Sequence, residues 1–217
     1  MNDRTITVKG VGSVSVKPDL IVISMTLATQ AREYQETMTL AAAELDSVRA
    51  ALFAVGYEKD SLKTTDFSIN TEYESVKDRQ GAWKQQFLGY KCVHMLKLEF
   101  DFDTNRLNDT LKAIAASGVG LEFEINFSIK DKAAVSDQLL REAIHNASAK
   151  ASILADAAHL SLGAIQQIDY NWGELQVISN TRYTEPLCLA AESVKSIDIE
   201  PDDIKVNDTV TVVWAIA

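Results

Sequence analysis

The chain has 217 residues, of which 47% are hydrophobic and 24% are charged. This is an ordinary globular composition, and a chain of this size can bury a core without a metal or a disulfide. Its 31 acidic and 21 basic residues give a formal net charge of −10. Such a surface repels nucleic-acid backbones and anionic membranes, so we expect neither nucleic-acid binding nor membrane insertion. No segment approaches the ~20 consecutive apolar residues that a membrane-spanning helix requires.

The N-terminus and the cysteines indicate in which cellular compartment the protein is expected. The first residues, MNDRTITVKG, lack the apolar core of a secretory signal. The sequence as written therefore predicts a cytoplasmic protein, or one of the periplasm or cell envelope if a signal has been removed. Cys92 and Cys188 are far apart in the sequence, and without a secretory signal we expect both thiols to be reduced.

Two glycines one residue apart, Gly10 and Gly12, follow a strand-like run in the segment GVGSVSVKPD. A dinucleotide-binding fingerprint would need a third glycine where Ser15 stands, and a helix opening directly afterwards. The alternating residues that follow, and then Pro18, predict a strand and a turn instead. The glycines are therefore predicted to allow a bulge or tight bend between two short strands, and no cofactor is expected.

Residues 20–29 are apolar on both faces for half their length, which predicts a central strand. Apolar residues then recur at helical spacing in three later segments, each followed by a glycine. The predicted helices cover residues 32–55, 105–117 and 132–159. The predicted apolar face of the first consists of Tyr34, Met38, Ala41, Leu45, Val48, Leu52 and Val55. Asp131 is the expected N-cap of the third helix, and Asp103 or Thr104 that of the second. The residues predicted to line one side of the third helix are Ala143, Ala147, Ala151, Leu154 and Ala158. Small residues there would let the helix lie close against a sheet or another helix.

Three further segments alternate apolar and polar residues, as strands with one wet face do. They cover residues 89–102, 121–130 and 206–216. This order of elements predicts an α+β fold, with about three helices packed on one face of a mostly antiparallel sheet. A strand, a helix and a strand recur loosely along the chain. We expect one domain over residues 1–217, with possible halves 1–103 and 104–217.

Two stretches lack a clear period. Residues 75–86 are predicted to form a long hairpin tip, and residues 173–192 an irregular loop. Apolar side chains at such places either fold back onto the core or face another subunit. The predicted oligomer or partner surface consists of Trp83, Phe87, Tyr183 and Leu187.

Motifs of catalysis and metal binding are missing from the sequence. It has no GxSxG elbow, SxxK pair, P-loop, CxxC or HExxH, so no catalytic residue and no enzymatic activity are predicted. Cys92 and His94 share one strand face and could approach one metal ion, but zinc needs at least three protein ligands. The other interpretation is a packed cysteine and a hydrogen-bonded histidine. Glu122 and Glu124 are predicted to lie on a solvated strand face.

Several segments together resemble the SIMPL domain family. They are ITVKGVGSVSVKPDLIVISMTL, GYEKDSLKTTDFSI, GYKCVHMLKLEFD and the closing strand IKVNDTVTVVWAI. The resemblance covers about residues 4–216, and Gly10, Gly12, Pro18 and Asp19 match the family's N-terminal signature. The family has no defined catalytic residues, so none is carried over. Its bacterial members include periplasmic immunogenic proteins that assemble into large ring-like or channel-like oligomers, and some are tied to oxidative-stress tolerance.

The missing motifs and the resemblance predict a non-enzymatic, self-assembling protein that acts through protein–protein surfaces. We expect a homo-oligomer, with another protein as a further partner and a stress-related role implied by the resemblance. Without a signal peptide, the chain resembles a shorter, unexported branch of the family. The alternative is a small-molecule or metal-binding sensor that uses the sheet face around Cys92 and His94. A hydrolase with an unrecognised site is a third hypothesis.

Overall fold

The computed structural model describes residues 4–77, 81–170, 176–187 and 199–217, except for the side chains of residues 185–187. Helices α1 to α3 cover Tyr34–Ala54, Thr104–Ala116 and Lys132–Ala157. Strands β1 to β8 cover, in chain order, Thr5–Val16, Leu20–Ala31, Leu62–Lys77, Trp83–Asp101, Leu121–Ser128, Leu162–Tyr170, Ile178–Leu187 and Ile204–Ile216. The predicted α+β class is confirmed, although the strands form two sheets rather than one.

The chain divides into two compact units. Unit 1 comprises Met1–Pro18, Ser128–Asn180 and Pro201–Ala217, and unit 2 comprises Asp19–Phe127 and Thr181–Glu200. These units do not coincide with the halves 1–103 and 104–217. The reason is that β1 pairs along its whole length with β8, which brings the two ends of the chain into one sheet. Local periodicity carries no information about such a long-range pairing.

Unit 1 contains a three-stranded sheet in the order β1-β8-β6, and α3 packs against it. Of the stripe predicted on the third helix, Leu154 is 49% exposed and Ala158 is exposed, because the buried row continues in steps of four to Ala155. Ala143, Ala147 and Ala151 are buried as predicted and have no exposed surface. They pack against Val8, Val210, Val212 and Trp214 of the sheet. Because alanine projects so little beyond the backbone, the helix can lie directly on the strands. Asp131 caps this helix as predicted, since its side chain accepts a hydrogen bond from the backbone N–H of Ala134 at 2.8 Å.

The backbone of α3 lies very close to β1 at the two glycines of that strand. A Cβ atom on Gly10 would lie 2.0 Å from the carbonyl oxygen of Ala143, and one on Gly12 would lie 2.0 Å from that of Leu139. The prediction of a bulge or bend at these glycines is wrong, because β1 pairs with β8 without any register shift. The glycines instead remove two side chains that would collide with the helix backbone. The element that follows β1 is a strand, and not the helix that a dinucleotide-binding turn requires.

Side chains of α3 also cover the outer edge of β1. Asn146 Oδ1 accepts a hydrogen bond from the backbone N–H of Val11 at 3.0 Å. Lys150 Nζ donates to the carbonyl oxygen of Lys9 at 3.3 Å. Backbone groups on an end strand are otherwise free to pair with another chain, so these bonds protect this edge of the sheet.

Unit 2 contains a five-stranded sheet in the order β3-β4-β2-β5-β7, which places β2 centrally as predicted. Helices α1 and α2 pack on its core through Val48, Leu52, Leu107, Leu111 and Ile114. The observed helix bounds lie within two residues of the predicted ones, and Asp103 rather than Thr104 caps α2. The predicted apolar face of α1 is confirmed in its middle, whereas Tyr34 and Val55 at its ends are 47% and 38% exposed.

The two stretches without a clear period are mostly strand. β3 runs to Lys77 and β4 begins at Trp83, so only a short connection remains of the hairpin tip predicted over residues 75–86. β7 runs through Ile178–Leu187, inside the loop predicted over residues 173–192. Both predictions were wrong because pairing with a neighbouring strand extends these segments, whatever their local pattern. None of the described helices is long and apolar enough to cross a membrane.

Candidate interaction surface

Strands β3 and β4 extend beyond the rest of their sheet. β2 pairs with β4 only as far as Tyr90, whereas β3 continues to pair with β4 as far as Trp83. Residues 70–77 and 83–89 therefore form a two-stranded ribbon, here called the arm. None of the described side chains of the arm is buried. A two-stranded ribbon gains little stability from its own packing, so a long exposed one points to a role outside the monomer's core.

A bulge marks the place where the arm leaves the sheet. Glu72 pairs with Gly89 and Tyr73 pairs with Phe87, so Leu88 is an extra residue in β4. Gly89 has a φ of 149°, which favours glycine. A Cβ atom on it would lie 2.2 Å from the carbonyl oxygen of Ala31, the last residue of β2. Glycine therefore lets β4 pass close to the end of β2.

A series of aromatic rings, here called the aromatic row, begins with Tyr34 of α1 and Tyr90 of β4 and continues onto one face of the arm through Phe87, Tyr73 and Trp83. Consecutive rings from Tyr34 to Tyr73 meet edge to face, with centroids 5.6, 5.5 and 5.6 Å apart. This is a favourable aromatic geometry. Farther out, Lys77 Nζ lies 5.0 Å from the centroid of the Trp83 ring, a cation–π contact. The rings therefore hold one another in place while remaining partly open to solvent.

The aromatic row contains two of the four residues predicted as an interaction surface. Trp83 is 67% exposed and Phe87 is 38% exposed. Tyr183 lies elsewhere, because it packs against the core of unit 2 with its ring 6.1 Å from that of Phe123. The side chain of Leu187 lies outside the described residues.

Three members of the aromatic row, Tyr34, Tyr73 and Tyr90, were missed by sequence reasoning. Tyr34 was assigned to the buried face of α1, yet it is 47% exposed. Tyr73 is 54% exposed and lies opposite Phe87. A sequence signal existed, since Tyr73 and Phe87 flank the same predicted hairpin. The bulge at Leu88 decides that they share a face, and no local pattern shows that bulge.

Cys92 and His94 lie on the buried face of β4. Cys92 is a free cysteine with 1% of its surface exposed, and His94 is 8% exposed. The Nε2 atom of His94 is 2.9 Å from the hydroxyl of Thr64, and its ring meets that of Phe67 edge to face. Within the described residues, no three His, Cys, Asp or Glu side chains are grouped as a metal site would require. Cys188 lies outside the described residues.

Charged groups of α1 reach this buried region. Burial, and secondarily the Glu44 carboxylate, raise the pKa of the Cys92 thiol, which favours its protonated form. Glu44 itself accepts a hydrogen bond from the hydroxyl of Thr29. Burial, and secondarily the Arg49 guanidinium, lower the pKa of His94, which favours the neutral ring. The Nε atom of Arg49 is buried and has no hydrogen-bond partner among the described residues.

The lowered pKa of His94 predicts a loss of stability in acid. The unfolded chain binds this proton more tightly than the folded one, so the contribution of His94 is complete above its usual pKa of 6.5 and is lost as the pH falls below it. We expect His94→Gln, which can still bond to Thr64, to lose less unfolding free energy than the wild type between about pH 7 and 5. Urea unfolding at both pH values measures this. His145→Gln, at an exposed position of α3, is the control, and an equal acid loss in all three proteins would contradict the assignment.

A groove of about 780 Å³ lies in unit 2 and includes residues from the end of α1 and from α2. Its charged side chains have structural partners. Asp103 caps α2, and the Arg106 guanidinium stacks 4.6 Å from the ring centroid of Tyr57 while its Nε donates to the Tyr57 hydroxyl. The Nζ atom of Lys112 lies 3.8 Å from the Oδ1 atom of Asp109. These four charged side chains of the groove are therefore already engaged in contacts within unit 2.

Similarity to known proteins shows which family the chain belongs to. The chain is similar to the "26 kDa periplasmic immunogenic protein" of Brucella melitensis and that of Brucella abortus. Each is 26% identical over 211 residues, which are 97% of this chain and 84% of the relative. It is also 21% identical over 213 residues to "Uncharacterized protein YggE" of Edwardsiella ictaluri, covering 96% of this chain and 85% of that protein. Residues 6–214 match the family model SIMPL, described as a protein of unknown function (DUF541). Because that match spans nearly the whole chain, this protein belongs to the SIMPL family.

Proposed function

We propose that this protein is a non-enzymatic, self-assembling protein and that the aromatic row on the β3–β4 arm is its contact surface. The observation that carries the proposal is the combination of a projecting ribbon and a row of partly exposed rings along one of its faces. Tyr34, Tyr73, Phe87 and Trp83 are between 38% and 67% exposed. Aromatic residues are enriched in the buried centres of protein interfaces.

The energetic scale supports an interface. Burying a large apolar side chain contributes about 1.5–3 kcal/mol, so the exposed half of each ring is worth about 1 kcal/mol. Four such rings on each of two copies reach about 8 kcal/mol, before the cost of association is subtracted. The edge-to-face contacts already restrict the rings, so little side-chain entropy remains to be lost.

The names of the Brucella relatives describe those proteins as periplasmic. We infer the periplasm or cell envelope for this chain as well, in preference to the cytoplasm. Fractionation of cells that express the native gene tests this, and recovery of the protein in the cytoplasmic fraction alone would contradict it. The stress-related role stays a hypothesis drawn from the family resemblance.

Self-assembly is tested by size-exclusion chromatography with light scattering over about 1–100 µM protein, the range in which moderately stable complexes dissociate. We expect the wild type to exceed the monomer mass, and the double variant Tyr73→Ser, Phe87→Ser to elute as a monomer. The matched control is Phe53→Ser, because Phe53 is 74% exposed but lies on α1, outside the arm. A wild type that stays monomeric at the highest concentration would refute self-assembly. Assembly lost equally in the control would refute the role of the arm.

The sensor alternative, built on Cys92 and His94, stays a hypothesis with less support. Both side chains are buried, and His94 is already bonded to Thr64. Elemental analysis of the purified protein and of its Cys92→Ala variant would decide it. A stoichiometric metal that the variant loses would support a sensor, and no metal in either protein would remove that form of the hypothesis.

A further inference from the structure

We propose that the outer edge of β3 pairs antiparallel with the same edge of a second copy, with the Thr71 residues of the two copies opposite each other. This inference rests on the proposed self-assembly and makes it specific. The five-stranded sheet would then continue from one copy into the next. Such a pair of identical edges is related by a two-fold axis and closes on itself as a dimer contact.

The outer edge of β3 is long, regular and open. β3 is an end strand of its sheet. Its register to β4 shifts between Thr64 and Asp66, and from Asp66 to Lys77 no residue of β3 is skipped. Side chains of α3 cap the edge of β1, and β6 carries two register shifts against β8. No hydrogen bond of the capping kind reaches residues 66–77 of β3 from the described part of the chain. A regular open edge of this length is the feature that recruits another strand.

Geometry leaves few registers for a symmetric pair. A two-fold axis perpendicular to the sheet keeps each face on its own side, so a residue of one face must lie opposite a residue of the same face. Within the regular stretch from Asp66 to Lys77, two arrangements give the longest ladder. One is centred on Thr71 and pairs Asp66 with Val76. The other is centred on Glu72 and pairs Phe67 with Lys77.

Charge selects between the two registers. The arrangement centred on Glu72 would place the two Glu72 carboxylates directly opposite each other, which is destabilising in a sheet. The arrangement centred on Thr71 places Glu72 opposite Asn70 and Glu74 opposite Ser68. Shorter ladders centred on the neighbouring residues are also disfavoured: a centre on Asn70 sets Asp66 against Glu74, and one on Tyr73 sets Glu72 against Glu74. Only the register centred on Thr71 combines full length with no directly opposed like charges.

The same register brings apolar groups together on the other face. It places Tyr73 opposite Ile69, and Phe67 diagonal to Tyr73 of the second copy. Phe67 and Tyr73 are 46% and 54% exposed in the single chain. Aromatic and β-branched side chains opposite each other are among the stabilising cross-strand pairs. Because Tyr73 is part of the aromatic row, edge pairing would join the rows of the two copies.

Disulfide trapping tests the register directly. In a Cys188→Ser background, Thr71→Cys should form a covalent dimer on mild oxidation, because opposite Cα atoms lie about 4.5–5.5 Å apart, within disulfide range. The control is Glu74→Cys, at an exposed position of the same strand. Its two copies would be offset by six residues, about 20 Å, so it should stay unlinked. A mixture of Glu74→Cys and Ser68→Cys proteins should cross-link again.

A second test changes charge without introducing a thiol. Asn70 is exposed and lies opposite Glu72 of the other copy in this register. Asn70→Lys should tighten the dimer and Asn70→Glu should weaken it, each by roughly 2- to 30-fold in the dissociation constant, because the pair occurs twice per dimer. Equal effects of both substitutions, or effects of the opposite sign, would refute the register.

The outcomes separate this inference from the proposed function. An assembled wild type in which Thr71→Cys stays unlinked, or in which Glu74→Cys links instead, overturns the pairing and leaves self-assembly standing. A monomeric wild type overturns both self-assembly and the pairing of β3 edges. The open edge of β3 would then be a site for a strand of a different protein. Rapid cross-linking of Thr71→Cys alone, together with the opposed effects at position 70, establishes the pairing.

Discussion

Replacing Gly10 by alanine is expected to destabilise unit 1 by about 3 kcal/mol or more, at the upper end of overpacking effects. The new Cβ atom would lie 2.0 Å from the carbonyl oxygen of Ala143 and 2.7 Å from the Cβ atom of Ala147. The first of these atoms is helix backbone, so no rotamer change can relieve the collision. The whole of α3 would have to move away from β1. Urea unfolding followed by circular dichroism measures the loss.

Two controls make this prediction specific. Gly120→Ala adds the same methyl group where nothing lies within 4 Å, so it should be neutral or stabilise by up to about 1 kcal/mol through the unfolded chain. The double variant Gly10→Ala, Ala147→Gly removes the side-chain collision but keeps the one with Ala143. We expect it to remain destabilised. A Gly10→Ala protein as stable as the wild type would show that α3 does not lie on these glycines.

Removing the arm is expected to abolish self-assembly while leaving the monomer folded. Glu72 and Gly89 are opposite each other in the β3–β4 register, so an Asn-Gly turn can join them in place of residues 73–88. None of the described side chains in the removed segment is buried, and we therefore expect the unfolding free energy to change by about 1 kcal/mol or less. Light scattering and urea unfolding of the shortened chain measure the two effects.

A full-length variant separates the rings from the backbone of the arm. It carries serine in place of Tyr73, Trp83 and Phe87 and keeps the edge of β3. Loss of assembly in this variant as well as in the shortened chain would show that the rings supply most of the affinity. Assembly retained in the serine variant alone would attribute it to edge pairing. Assembly as strong as that of the wild type in the shortened chain would refute the role of the arm.

Features that arise from interactions between residues close in the sequence could be predicted, whereas those that arise between distant residues could not. The three helices and the caps at Asp103 and Asp131 could be predicted, because helix spacing and capping act within a few residues. The strand β7 and the outer ends of β3 and β4, residues 75–77 and 83–86, were predicted to be irregular. Their extended shape comes from partners elsewhere in the chain, so their local pattern was uninformative. For the same reason, two members of the aromatic row were predicted and three were missed.

The paired glycines show the same limit in one motif. The residues after Gly12 excluded a nucleotide-binding turn, and the alanines of α3 predicted a close helix approach. Nothing local connected the two features, because Gly10 and Ala143 are brought together only by the packing of α3 on β1. The glycines were therefore assigned to a bend that β1 does not have.

Short-range periodicity and ordered motifs were enough to predict the α+β class, the helices, the buried strand faces and the membership of the SIMPL family. The tertiary structure alone decided that β1 closes onto β8, that the glycines admit a helix, and that β3 and β4 leave the sheet as an exposed arm. The physical reason is that strand partners and the register between them are chosen by contacts between distant residues. Each such contact closes a long loop of the chain, and a short segment of the sequence does not show which distant residues will meet.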